Sequence, residues 1–236
     1  MHFLDYGFLS LLFVVLPIYS ALSFRRFLRL LESGQASLSE MFRDTMWLHI
    51  GGLFVFILLW RFLERPASDL GLVLPDAQGA LIGVAVILLV SGFFCYTWWR
   101  VTQLSAEARS ETLESMGYLK HMLPSTDPEL RMSLGASLTA GVVEEILYRG
   151  YVLWCLSLYM PIWIAAGLSS VAFGVAHAYQ GLSGVIKTGV VGFVFAAVYL
   201  VTGSLIIVMI LHFLVDALQM AAVRSLHRPA PVQQTT

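Results

Sequence analysis

Gly141-Val-Val-Glu-Glu-Ile-Leu-Tyr-Arg-Gly150 is an apolar stretch that carries two carboxylates and a guanidinium. A charged side chain at mid-bilayer costs roughly 2.5–3.5 kcal/mol on insertion scales. A segment that only had to cross a membrane would not hold Glu144, Glu145 and Arg149. The stretch therefore reads as a membrane helix built around a site. Residues three and four apart share a helix face. That spacing sets Ser137, Gly141, Glu144, Tyr148 and Tyr151 on one small-and-polar stripe and leaves Glu145 to pair with Arg149 on the next. Glu144 then has no local partner and is available as a general base or acid.

Working outward, the surroundings are membrane-like. Of the 236 residues, 58% are hydrophobic and 12% are charged, against about 25% charged in soluble domains; mean hydropathy is +0.79. Seven runs have the length of a crossing helix, about 20 apolar residues: Phe3–Phe24, Thr45–Leu63, Gly79–Trp99, Met132–Ser157, Pro161–Ala178, Ser183–Val201 and Ser204–Val223. The expected fold is an all-α, polytopic membrane bundle of about seven transmembrane helices. The connector Arg100–Arg131 places Val101, Leu104 and Ala108, then Leu113, Met116, Leu119 and Leu123, at helical spacing. An amphipathic helix along the cytoplasmic face is expected there.

Basic residues orient the bundle. Arg25, Arg26, Arg29, Arg43, Arg100, Arg109, Lys120, Arg131, Arg224 and Arg228 fall on one side, and only Arg61 and Arg65 on the other. The positive-inside rule puts the N-terminus outside and the C-terminus in the cytoplasm of a multi-pass cell-membrane protein. The start of the chain has no positive n-region and does not look like a cleaved signal peptide. The end has no cysteine and hence no prenylation box of its own. With a net charge of −1 and no basic stripe, no nucleic-acid partner is expected. Cys95 and Cys155 stand in separate apolar runs and read as free thiols. Nothing in the chain sets an oligomeric state.

Two further runs carry ionisable groups. The fifth ends Phe173-Gly-Val-Ala-His177; the seventh holds His212-Phe-Leu-Val-Asp216, whose spacing puts His212 and Asp216 on one face. Glu144 with His177 makes a workable base-and-orienter pair, and His212 with Asp216 would complete a site opposite it. His2, His49, His121 and His227 lie near termini or span edges and form no pattern. No zincin, nucleophile-elbow, P-loop or dinucleotide motif is present.

Glu144-Glu145-x-x-x-Arg149, Phe173-x-x-x-His177 and His212-x-x-x-Asp216, in that order on successive spans, resemble the CAAX protease and bacteriocin-processing (CPBP or Abi) family, which includes the type II CAAX prenyl endopeptidases. The resemblance covers about Met132–Val223. Asp69-Leu-Gly-Leu72 also looks like the linker that precedes this family's core. The resemblance implies a membrane-embedded endopeptidase whose cavity opens to the cytoplasm and whose partners are the bilayer and a membrane-associated or lipid-anchored peptide. It assigns water activation to Glu144, water holding or deprotonation to His177, and oxyanion stabilisation or metal binding to His212. Glu145, Arg149 and Phe173 become structural support. The prenyl-protease branch has asparagine where this chain has Asp216, and ionised aspartate accepts hydrogen bonds but donates none.

Two mechanisms stay open: a Glu/His-activated water with no cofactor, or a divalent metal such as zinc held by His177, His212 and a carboxylate such as Asp216. So do two other classes of function. One is a non-catalytic immunity or resistance factor of the same fold. The other is a proton-coupled transporter, although no repeated halves are visible. The chain divides into a three-span region with its interfacial helix (1–130), a CPBP-like catalytic core (131–225) and a short polar tail (226–236).

Overall fold

The computed structural model describes residues 1–227; the tail from Arg228 onward lies outside the described residues. Those residues are all-helical, with no strand. Eight principal helices follow one another. They are α1 (Phe3–Glu32), α2 (Leu38–Phe62), α3 (Ala77–Thr102), α4 (Ala106–Ser115), α5 (Asp127–Glu145, continuing to residue 157), α6 (Ile162–Ala176), α7 (Gly181–Thr202) and α8 (Leu205–Leu226).

Five of the expected spans are long and apolar enough to cross a membrane: α1, α2, α3, α8, and α7 with the 3-10 turn ahead of it. The remaining two differ for reasons written in their residues. α5 carries the buried charges. α6 has only 15 residues, about 22 Å at 1.5 Å per residue, so it stops short of the ~30 Å hydrocarbon core. Together the seven form the bundle of a multi-pass membrane protein. Apolar side chains crowd its outside, Leu81, Leu88 and Leu89 among them, as lipid contact requires.

The helix starts follow local chemistry. Ser37 caps α2 by accepting from the Glu40 N–H while Glu40 returns a bond to the Ser37 N–H. Thr126 and Glu129 do the same at α5. Such reciprocal boxes satisfy otherwise orphaned donors. Between α7 and α8 the chain reverses at Gly203, whose φ of 65° is open to glycine at little cost.

The connector between α3 and α5 corrects the expectation of one amphipathic helix. α4 ends at Ser115, Gly117 takes a φ of 58°, and a 3-10 segment runs over Gly117–Met122. Arg109, counted among the basic loop residues, is buried. Its guanidinium donates to the carbonyl oxygens of Leu104, Thr102 and Ser225, tying the connector to the end of α8.

Packing around α5 positions the site. α2 lies parallel to it: Met46 lies over Gly135, and three residues on His49 reaches Thr139. α8 lies antiparallel, with Arg224 bonded to Asp127 at one end and Leu205 near Gly150 at the other. Midway, a Cβ on Gly141 would sit 3.0 Å from the Phe213 nitrogen and 3.1 Å from the Met209 oxygen. This absent side chain lets two backbones close up one turn before Glu145. α6 packs against α7 and against the later part of α5.

Candidate active site

α5 does not keep one helical register. Directly after Glu145 it becomes π-helical over Ile146–Val152. Single π segments inside α-helices mark functional places. The stripe expected from 3.6-residue spacing therefore breaks. Tyr151 turns away from Glu144 and donates to Asp5 Oδ1 at 3.0 Å, in a separate cluster. Tyr148 stays beside the site, edge-on to Phe173, its hydroxyl buried without a hydrogen-bond partner.

The two adjacent glutamates have different surroundings. Glu145 is fully buried, and its Oε1 accepts from Arg149 Nη1 at 2.8 Å and from His212 Nδ1 at 2.7 Å. Its Oε2 is buried without a partner. Arg149 also donates to the Gly192 carbonyl at 3.1 Å and lies 4.2 Å from the Phe173 ring centre. The Glu145–Arg149 pair thus forms as its spacing predicts. What the spacing did not indicate is that the same carboxylate orients a histidine on another helix.

Glu144 is 18% exposed and is surrounded at longer range. Its Oε2 lies 3.9 Å from His177 Nε2 and 4.0 Å from His212 Nε2; its Oε1 lies 3.5 Å from His49 Nε2. The expectation that Glu144 lacks partners applies within α5 only. Across the bundle it meets three imidazoles. His177 stands at the C-terminal cap of α6, where its Nδ1 is 2.9 Å from the Phe173 carbonyl. A carbonyl only accepts, so Nδ1 carries the hydrogen and Nε2 is the edge turned to Glu144. His212 is pinned likewise through Nδ1 on Glu145. Asp216, at 33% exposure, approaches His212 Nε2 at 3.6 Å, beyond hydrogen-bond length.

The structure thus brings Glu144, Glu145, Arg149, Phe173, His177, His212 and Asp216 together. It adds His49, which the sequence reading had set aside as a span-edge residue. That reading started the second span at Thr45. α2 starts at Leu38, and the Ser37-x-x-Glu40 box that starts it is visible in the sequence. Begun there, the helix carries His49 about three turns inside.

A divalent metal needs three or more convergent ligands. Among the described residues no group of three or more His, Cys, Asp or Glu is arranged to hold one.

Connector and α1 residues pack beside His177. Tyr118, in the segment after α4, donates to the Tyr179 carbonyl just past His177, and Phe24 of α1 packs on both rings.

With known proteins the agreement is confined to one segment. Residues 126–218 match the family model described as type II CAAX prenyl endopeptidase Rce1-like. No curated protein and no solved structure matches the chain. The matched segment contains every site residue named above except His49. Residues 126–218 are therefore similar to the type II CAAX prenyl endopeptidase Rce1-like family, within a chain whose described residues form an all-helical, multi-pass membrane protein.

Proposed function

We propose that the protein is an intramembrane endopeptidase that hydrolyses a peptide bond near the C-terminus of a lipid-anchored or membrane-associated substrate, using Glu144 as base. The observation that carries this reading is the spacing of Glu144 Oε2 at 3.9 and 4.0 Å from the Nε2 atoms of His177 and His212. These gaps are too long for direct hydrogen bonds and suit one water at ordinary bond lengths.

In this mechanism the water donates one hydrogen to Glu144 Oε2 and the other to His177 Nε2, and its lone pair attacks the carbonyl carbon. Glu144 takes the first proton as the C–O bond forms. His212, with hydrogens on both ring nitrogens, gives its Nδ1–H to Glu145 and turns its Nε2–H toward the developing oxyanion. Collapse of the tetrahedral intermediate breaks the C–N bond, and Glu144 passes its proton to the leaving amine. The water's other hydrogen, still on the new carboxyl group, passes through His177 Nε2 to the released amine, so the products are a carboxylate and a protonated amine. Placement on the side of Arg25, Arg26, Arg29 and the Arg100–Arg131 connector supports a site open to the cytoplasm, with the N-terminus outside.

The test is cleavage of a farnesylated peptide ending in a CAAX-type tetrapeptide, by membranes containing the protein, with the released tripeptide detected by mass spectrometry. Release by the natural sequence and its loss in His177→Ala is the expected result. An intact reporter, or equal release by the variant, contradicts the proposal. Flux or resistance phenotypes that survive the same substitution favour a transporter or a binding-only role.

A further inference from the structure

We infer that His49 is a positioning residue for the Glu144 carboxylate, supplied by α2 from outside the family-matched segment. The inference rests on the peptidase reading for its role, and on geometry alone for the pairing. His49 is 16% exposed at its side chain, on a helix whose neighbouring residues face lipid or core. Its ring is anchored on one side. Thr139 Oγ1 lies 3.1 Å from His49 Nδ1 and 3.0 Å from the Ala136 carbonyl; with the hydroxyl hydrogen given to Nδ1, the ring's own hydrogen sits on Nε2. The opposite ring atom, Nε2, then faces Glu144 Oε1 at 3.5 Å.

The division between the two carboxylate oxygens gives the contact its meaning. Oε1 faces His49, while Oε2 faces His177 and His212. A carboxylate with free rotation about its last bond would present either oxygen, in several rotamers, to the water. With an imidazole N–H on Oε1, Oε2 stays turned to the two other rings. Glu145 is held from within its own helix and from α8; Glu144 has no such local brace. His49 supplies one from α2, and the parallel packing of α2 on α5 at Met46 and Gly135 sets its register. The N-terminal part of the chain thereby contributes to the site.

Loss of a positioning contact costs turnover more than binding, about 100-fold for a misplacement near 1 Å. With the farnesylated CAAX-type reporter, His49→Ala is expected to lower kcat by roughly that factor with KM within about twofold. His49→Gln, whose amide reaches the former Nε2 position, is expected to recover most of the rate. Unchanged kcat in His49→Ala, or a Gln variant no better than Ala at equal folded content, overturns the inference. A second measurement is independent of turnover. In protein carrying nitrogen-15 histidine, the His49 ring signals, assigned by their loss in His49→Gln, are expected to move in Glu144→Gln. Signals that stay in place overturn the pairing. If the natural sequence leaves the reporter intact, the peptidase reading fails, while the histidine signals still decide whether His49 holds Glu144.

Discussion

α5 touches two buried charge clusters, and they are built differently. At its later end, Asp5 is fully buried and every oxygen is used: Arg65 donates to both at 2.7 Å, Tyr151 to one at 3.0 Å and the His2 N–H to the other at 2.7 Å. Arg65 lies between Trp60 and Trp154, 5.1 and 4.8 Å from their ring centres. Around Glu144, by contrast, the imidazoles of His177 and His212 stand 3.9 and 4.0 Å from Oε2, and His49, at 3.5 Å from Oε1, comes nearest. Short, complete bonding ties the N-terminus of α1 to α5. Water-sized gaps and partial exposure are what a group needs if it is to exchange a proton with something that enters and leaves. Glu145, one residue from Glu144, shares the short bonds of the first kind through Oε1 alone, although it sits in the second place. The distinction therefore follows bonding distance, not burial or residue type.

The comparison predicts opposite consequences. Asp5→Ala leaves Arg65 without its carboxylate and should lower unfolding stability by about 3–5 kcal/mol, while cleavage per folded molecule stays within about twofold. Denaturation of the purified protein, paired with reporter cleavage, checks both. A comparable loss of rate per folded molecule would erase the contrast. A smaller effect is expected at Asp216. Its carboxylate sits 3.6 Å from the same His212 nitrogen that the proposed oxyanion would use, and it competes for that hydrogen. Asp216→Asn removes the competitor and adds a donor, so kcat should rise several-fold with stability nearly unchanged. A fall in kcat would instead make Asp216 a needed acceptor that orients His212.

Much of this site is legible in the chain because its cost is local. Glu144, Glu145 and Arg149 stand out against an apolar run, and four-residue spacing alone pairs Glu145 with Arg149. His177 and His212 stand out in the same way. The linkage between helices is not legible. The bond from Glu145 to His212 depends on the close approach of α8 at Gly141, which one glycine among Gly135, Gly141 and Gly150 does not announce. The turn of Tyr151 away from Glu144 into the buried Asp5 cluster goes with a π segment, invisible to a count made in steps of 3.6. His49 was hidden by a boundary drawn on hydropathy; the polar first turns of α2 from Leu38 obscured a helix start that Ser37 and Glu40 do mark.

A working base and a brace at Glu144 differ in what its loss removes: turnover in the first case, folded protein in the second. Reporter cleavage and thermal unfolding of Glu144→Gln, measured side by side in one detergent, separate them most directly. The expected rate is lower by about 10³-fold or more, with a midpoint within a few degrees of the natural sequence. Retained cleavage, or a loss no greater than the fall in folded protein, would contradict a working base.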